Sequence, residues 1–251
     1  MKKESGTSSK KWIIFFVIGI VVALVVIGII FIRHRKEKEI VSIDGQPVYR
    51  EEIACIVNKI KLHQREEIAG KAGIDISEFT WETEVGGKNG YEYLADGVID
   101  RLKEIKTMQK EAMDNGLADD IDYPSLMKEM ERENRNREEK KGKNETVFGM
   151  TQYTADQFYD YFNENLSLQN RKELIYKEEL TVSDEEARAA YDADPGYFNN
   201  EDYENVERFA KNLVLNQKYQ EHLKEMEESA KVEILDENLL LQSVKDALEG
   251  K

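Results

Sequence analysis

The feature that most constrains this chain is an uncharged apolar run of 21 residues at positions 12–32. Only Gly19 and Gly28 within it lack an apolar side chain. Because an α-helix rises about 1.5 Å per residue, the run covers about 30 Å, the thickness of the hydrocarbon layer of a bilayer. A cleavable signal peptide has a shorter apolar region, of about 7–15 residues, followed by a small-residue cleavage site. Here the run continues directly into Arg33, which favours an uncleaved transmembrane signal anchor.

The charges that flank this run do not fix its orientation in the membrane. Four lysines precede it and four basic residues follow it, so the positive-inside count is balanced. The N-terminal tail, residues 1–11, is short, whereas long domains after a span are translocated largely regardless of charge. We therefore expect a single-pass protein of the cell membrane, with residues 33–251 outside the cytoplasm.

An acidic composition narrows the possible functions of the remaining chain. Residues 33–251 contain 32 basic and 50 acidic residues, a formal charge of −18. Nucleic-acid binding requires a concentrated basic surface, so we expect no nucleic-acid partner. The single cysteine, Cys55, excludes an internal disulfide framework, and we expect it to be a buried structural thiol. Three histidines and the absence of a catalytic or phosphate-binding motif predict no metal, no cofactor and no enzymatic activity.

Helical periodicity dominates the chain after the tether. Apolar residues from Tyr91 to Ala112 recur at spacings of three, four or seven, which marks one face of a helix. Capping-box patterns at Thr154 and Ser183 predict the starts of two further helices. Residues 128–143 contain almost no apolar side chain, and we expect them to form a solvated arm or mobile loop.

A long helix is expected over residues 202–230. Its first inward face would carry four apolar side chains, those of Val206, Phe209, Ala210 and Leu213.

Two short strand signals lie far apart in the sequence. Residues 40–48 alternate around Asp44-Gly45, a dipeptide typical of a tight hairpin turn. Residues 231–235 alternate in the same way. Since unpaired strand edges are unfavourable, we expect the second strand to pair with the hairpin and bring the two ends of the domain together. A short helix over residues 236–251 would follow.

An aromatic-rich window offers the candidate binding residues. It contains Met150, Tyr153, Phe158, Tyr161 and Phe162, with Tyr159 beside them. One interpretation is core packing. The other is a groove for unfolded segments, because aromatic and Met side chains offer apolar area that tolerates varied partners.

Four segments together resemble the SurA/PrsA family of extracytoplasmic chaperones. Residues 42–52 resemble the opening strand–turn–helix pattern V-N-G-x-x-I-T-x-x-E, and residues 98–116 resemble the helix pattern L-I-x-x-x-L-x-x-x-x-A-x-x-x-G. Residues 180–198 resemble V-T-D-E-E-x-x-x-Y-Y followed by Phe, and residues 218–234 resemble the closing helix and strand. The four segments occur in family order across residues 40–235.

One departure from the family pattern affects the implied activity. In the isomerase members, a parvulin domain of roughly 90 residues, a usual size for a small domain, lies between the third and fourth segments. Here Phe198 and Val206 are eight positions apart, and no histidine lies between them. The resemblance therefore implies the SurA N-terminal-type chaperone domain without prolyl isomerase activity.

These expectations define a domain organisation and a fold class. The chain would consist of a tail (1–11), a transmembrane anchor (12–32), a charged tether (33–39), a SurA/PrsA-like domain (40–235) and a C-terminal short helix (236–251). The fold would be mainly α, with a small β element that pairs the N- and C-terminal ends of the domain.

The function expected from this resemblance is that of a holdase- or foldase-type chaperone. It would bind unfolded or newly translocated polypeptides without ATP, in an apolar crevice rimmed by acidic residues, while residues 12–32 bind the lipid bilayer. A scaffold or adaptor of a membrane complex is the alternative, and a prolyl isomerase is a disfavoured second alternative.

Overall fold

Seven α-helices and five short strands make up the part of the chain that the computed structural model describes, residues 38–250. The strands are β1 (Val41–Ile43), β2 (Gln46–Val48), β3 (Glu84–Val85), β4 (Lys88–Asn89) and β5 (Val232–Ile234). The helices are α1 (Arg50–Ala72), α2 (Gly90–Asp114), α3 (Tyr123–Gly142), α4 (Ala155–Tyr176), α5 (Asp184–Ala193), α6 (Tyr203–Ser229) and α7 (Glu237–Glu249). A 3₁₀ helix, Pro195–Phe198, lies between α5 and α6. The mainly helical fold class with a small sheet is thus confirmed.

The predicted pairing of the two distant strand segments is confirmed. The larger sheet has the order β2-β1-β5, and both neighbours run antiparallel to β1. Val41 pairs with Ile234 across the β1–β5 ladder, and the Leu235 amide donates to the Ile40 carbonyl at 3.0 Å. Asp44 and Gly45 both have positive φ, 50° and 80°, as a two-residue hairpin turn requires. The sheet therefore joins the beginning of the described chain to a strand nearly 190 positions later.

The main hydrophobic core lies between this sheet and helices α1, α2 and α7. Ile40, Ile43 and Val48 from the sheet region are completely buried there, as are Ile53 of α1 and Leu102 of α2. Helix α7 contributes Leu240, Val244 and Ala247 to the same core. The C-terminal short helix was predicted to follow the domain. In the structure it packs in the main hydrophobic core of the domain.

The predicted helix starts match the structure, and helix α2 ends before a glycine. Thr154 and Ser183 each form a complete capping box, with Gln157 and Glu186 as the reciprocal partners. Helix α2 ends at Asp114, and the following Gly116 has the positive φ of 73° that glycine readily adopts at a helix end.

Helix α3 confirms the solvated arm expected over residues 128–143 and corrects the alternative of a mobile loop. The helix continues to Gly142, although only Tyr123 and Leu126 in it are buried. Oppositely charged side chains three or four residues apart form ion pairs along its exposed part, at Glu129–Arg132, Glu131–Arg135 and Glu133–Arg137. Such pairs stabilise a polar helix, which apolar periodicity alone does not detect.

Two smaller cores follow along the chain. One joins the C-terminal parts of α2 and α4 to α6, through Met108, Leu166, Leu174, Tyr219 and Leu223. The other holds α5 and the 3₁₀ helix against the start of α6, through Ala187, Phe198 and Ala210. Phe209, which was expected to face inward, is instead half exposed.

The predicted tail, the transmembrane anchor at 12–32 and most of the tether lie outside the described residues. Among the helices within residues 38–250, none is long and apolar enough to cross a bilayer.

Candidate functional site

The aromatic window is divided between the core and the surface. Tyr153 and Phe158 are buried, and Phe162 is partly buried against two of the cores. Tyr161 and Met150 are 46% and 44% exposed. The core interpretation therefore describes Tyr153 and Phe158, whereas Tyr161 and Met150 are accessible to a partner.

The rings of the window touch one another in one continuous layer. Tyr153 stacks on Tyr161, with ring centroids 5.2 Å apart, and meets Phe158 edge-on at 5.7 Å. Phe158 in turn lies 6.4 Å from Phe162. Because successive rings lie within the range of favourable aromatic contacts, the buried rings fix the position of the exposed Tyr161.

An open groove of about 840 Å³ lies beside this layer, between α3, α4 and the loop that follows α2. Phe158, Tyr161 and Phe162 line it. The other apolar lining residues are Leu117, Ala118, Leu126 and Leu166. The groove is thus open to solvent, its exposed lining is about evenly polar and apolar, and it has the size that a few side chains of a peptide would occupy.

The rim of the groove carries charges of both signs. The acidic rim residues are Asp119, Asp120, Glu129 and Glu133, and the basic ones are Lys128, Arg132 and Arg135. Glu129 and Glu133 are engaged in ion pairs along α3, with Arg132 and Arg137. The rim is therefore mixed, in contrast to the acidic rim expected from the composition.

Met150 and Tyr153 do not line this groove. They belong to the loop between α3 and α4, which packs behind the aromatic residues of the groove. Arg137 donates to the carbonyl oxygens of Phe148 and Met150, at 3.0 and 2.6 Å, and its guanidinium lies 4.7 Å from the centre of the Tyr153 ring. Asn134 makes two hydrogen bonds with the backbone of Tyr153, both shorter than 3 Å. Helix α3 thus anchors the loop and sets the ring behind Tyr161.

Arg137 and Asn134 are the supporting residues that the sequence did not reveal. They lie in the stretch expected to be a solvated arm, and their targets are mainly backbone atoms, which leave no residue-specific signal. Only recognition of α3 as a helix would have placed both on the side that faces the loop.

A buried polar cluster lies under the window, on the core side of α4. Glu52 of α1 forms an ion pair with Lys106 at 2.8 Å and accepts a hydrogen bond from the Tyr159 hydroxyl at 2.6 Å, and all three side chains are almost completely buried. Burial, followed by the negative charge of Glu52, raises the pKa of Tyr159, so its phenol stays protonated and donates. The cluster ties α1, α2 and α4 together beneath the groove.

Cys55 is buried as expected, 3.6 Å from the Tyr123 hydroxyl. Burial is the main cause that raises the pKa of this thiol. Because the thiolate is the nucleophilic form, the environment of Cys55 disfavours covalent chemistry. Within residues 38–250 no group of three or more His, Cys, Asp or Glu side chains is arranged to hold a metal ion.

The fold and the groove define a mainly helical protein with a solvent-open groove lined by aromatic, aliphatic and charged side chains. No family model, curated protein or solved structure matches this chain. The resemblance to the SurA/PrsA family therefore stays a prediction that depends on the four sequence segments.

Proposed function

We propose that this protein is a membrane-anchored, extracytoplasmic chaperone that holds unfolded or newly exported polypeptides without ATP. The observation that carries the proposal is the open groove in which Tyr161 exposes an aromatic ring above the buried Phe158. An unfolded client offers apolar side chains at irregular spacing. A shallow groove that combines exposed aromatic and aliphatic side chains with charged ones accepts such segments without requiring one fixed shape.

The position of Tyr161 supports weak and reversible binding rather than a deep pocket. Its ring is already packed on one side against Tyr153, so a client gains contact only with the exposed part of the ring. A contact of this kind contributes about 1 kcal/mol, or roughly a fivefold change in affinity. Several such contacts give binding that a folding client can leave.

The proposal includes no catalytic step. The four residues 199–202 connect the 3₁₀ helix to α6 at the place where isomerase members of the resembled family carry their parvulin domain. The purified protein should therefore not accelerate cis–trans conversion of a proline peptide above the uncatalysed rate. A rate increase that scales with protein concentration through further purification would contradict this.

The orientation of the protein is part of the same proposal, with residues 33–251 outside the cytoplasm. Protease added to intact spheroplasts should degrade these residues. Degradation only after lysis would place them inside the cell.

Aggregation of a chemically unfolded client tests the chaperone proposal. The wild-type protein in nanodiscs should slow aggregation in the absence of ATP, and Tyr161→Ala should weaken this effect several-fold. Tyr176→Ala is the matched control, because Tyr176 lies on the same helix, is 83% exposed and does not line the groove. Phe158→Ala should instead lower the melting temperature, since removing a buried Phe costs about 3–5 kcal/mol.

The outcomes separate the proposal from its alternative. If the Tyr161 and Tyr176 variants suppress aggregation equally, the groove is not the client-binding surface. If the wild-type protein suppresses no aggregation even in excess, but binds one folded protein saturably, the scaffold function replaces the chaperone function.

A further inference from the structure

A second exposed aromatic surface lies away from the groove, on the lobe formed by residues 184–213. This lobe contains α5, the 3₁₀ helix and the beginning of α6. Tyr197 and Phe209 are 55% and 50% exposed, and their rings are stacked, 5.8 Å apart and 8° from parallel. Two large rings are thus held side by side with one edge or face open to solvent.

The fold fixes this aromatic pair in place before any partner binds. Phe198 is buried beneath it and contacts both rings, at centroid distances of 5.3 and 5.5 Å. The Asp194 side chain accepts a hydrogen bond from the backbone amide of Tyr197. The next two residues after Phe198, Asn199 and Asn200, both have left-handed backbone conformations, with φ of 57° and 55°. Asn is among the few non-glycine residues that readily adopt this conformation, so the sequence suits the turn that follows the 3₁₀ helix.

The lobe around the pair is strongly acidic. Residues 184–213 contain nine acidic and three basic side chains, a formal charge of −6. Lys211 pairs with Asp184 and Glu207, and Arg188 pairs with Asp192. The carboxylates without an ion-pair partner within residues 38–250 are those of Glu185, Asp194, Glu201, Asp202 and Glu204. A cationic partner would therefore find unpaired negative charge on the lobe that carries the aromatic pair.

The lobe already contains a cation–π contact of the kind that a cationic partner would make. The guanidinium of Arg188 lies 4.7 Å from the centre of the Tyr203 ring and 5.8 Å from that of Tyr191. No lysine or arginine of residues 38–250 occupies the corresponding position over Tyr197 or Phe209. Cations are attracted to aromatic faces, and arginine also stacks on them.

We infer that the Tyr197–Phe209 pair is a binding surface for polypeptide segments that carry Arg or Lys beside apolar residues. The inference rests on the proposed function and specifies a class of client segment for it. The aromatic pair would hold the aliphatic stem and the cationic head, and the free carboxylates would attract the charge over a longer range. A nucleic acid does not fit this surface, because its phosphates would meet the same carboxylates.

Peptide binding to the full-length protein in nanodiscs made from uncharged lipids tests the inference. The probe is a short, unstructured, fluorescent peptide of alternating Arg and Leu, compared by anisotropy with the same peptide carrying Glu in place of Arg. The Arg peptide should bind, the Glu peptide should not, and salt should weaken binding. The double variant Tyr197→Ala/Phe209→Ala should lose about three- to tenfold in affinity.

Two further variants make the result specific to this surface. Tyr176→Ala removes an even more exposed ring outside the lobe and should leave Arg-peptide affinity unchanged. Glu201→Gln/Glu204→Gln removes charge without removing a ring and should weaken binding most at low salt. Circular dichroism of each variant confirms that the lobe remains folded.

The outcomes for the lobe and for the groove are independent. Wild-type affinity in the Tyr197/Phe209 double variant, or equal binding of both peptides, overturns the inference while leaving aggregation suppression through Tyr161 in place. The wild-type protein could instead fail to suppress aggregation in every assay and still bind the Arg peptide through Tyr197. That result would contradict the chaperone proposal alone. A concentration-dependent dimer that the double variant abolishes, without peptide binding, would assign the surface to a second copy of the chain.

Discussion

At the level of single residues, the stability of the protein's centre depends on the ion pair between Glu52 and Lys106. Both side chains are essentially inaccessible to solvent, and one carboxylate oxygen of Glu52 has no hydrogen-bond partner. Removing charges from water is costly, and a buried pair offsets that cost only while both partners are present. The pattern of the sequence did not reveal this pair, because Glu52 and Lys106 lie on different helices and each resembles an ordinary surface charge there.

Substitution of Lys106 tests the dependence directly. Lys106→Met should lower the free energy of unfolding by about 3–5 kcal/mol, because Glu52 would remain buried without its partner. The measurement is urea unfolding of residues 33–251. All variants also carry Tyr159→Phe, because the Tyr159 hydroxyl would otherwise lose its acceptor when Glu52 is replaced. Glu52→Met/Lys106→Met should recover most of the loss. A double variant as unstable as the sum of both single variants would show that the two charges act independently.

At the level of secondary-structure elements, the sequence predicted best the helix starts and turns that local residues mark. Capping residues at Thr154 and Ser183 and the turn at Asp44-Gly45 determine their own surroundings, so these starts and turns were predicted correctly. The continuation of α3 to Gly142 depends on charge pairs rather than apolar spacing, and it was missed. The β3–β4 hairpin at residues 84–89 was also missed, since its strands have only two residues each.

Helix α7 should be essential to the stability of the domain. Its Leu240 is buried in the core with α1 and α2, so Leu240→Ala should cost about 2–5 kcal/mol. Leu62→Ala, on the exposed side of α1, is the control and should change stability little. Truncation after Ala230 removes both α7 and β5, and should lower the melting temperature more than either point substitution. An unchanged melting temperature after this truncation would contradict the observed packing.

The attachment of α5 to α6 should depend on pH through Glu186. Its side chain hydrogen-bonds with Lys218 and also accepts from the Ser183 amide, and these contacts lower the pKa of Glu186 from its ordinary value of 4.5. A lowered pKa means that the stabilising contribution is fully present above pH 4.5 and is lost as the pH falls below it. The protection factors of the α5 amides, which correct for the slower intrinsic exchange at low pH, should therefore decrease as the pH falls below 4.5.

Glu186→Gln is the control for this pH effect. Gln retains the capping geometry but does not titrate, so exchange in α5 should be faster than in the wild type at neutral pH and less dependent on pH. The same pH dependence in this variant would assign the effect to other carboxylates.

At the scale of the whole molecule, the sheet brings the two ends of the described chain to one place. Lys38, which lies near the end of the predicted tether, forms an ion pair with Asp236 at 2.6 Å, just after β5. In the proposed membrane-anchored protein, the domain is attached at this sheet. The order of secondary structure and the pairing of its ends followed from the sequence, because strand alternation and turn chemistry are local signals.

The candidate site was predictable only in part. The sequence indicated the correct segment, since aromatic residues are concentrated at positions 150–162. It did not reveal that Phe158 is buried and Tyr161 exposed, because that distinction depends on where α3 and the preceding loop pack against α4. The Tyr197–Phe209 pair was missed for the same reason, as Phe209 shares the spacing of buried residues on α6.

Photo-crosslinking in living cells tests most directly the central claim that the groove at Tyr161 holds polypeptides during export. A benzophenone amino acid is placed at position 161 or, as the control, at position 176, and adducts are identified after irradiation. We predict that position 161 captures many different exported polypeptides in an unfolded state, and that position 176 captures few. No adducts at position 161, equal adducts at both positions, or a single folded partner at position 161 would contradict the account.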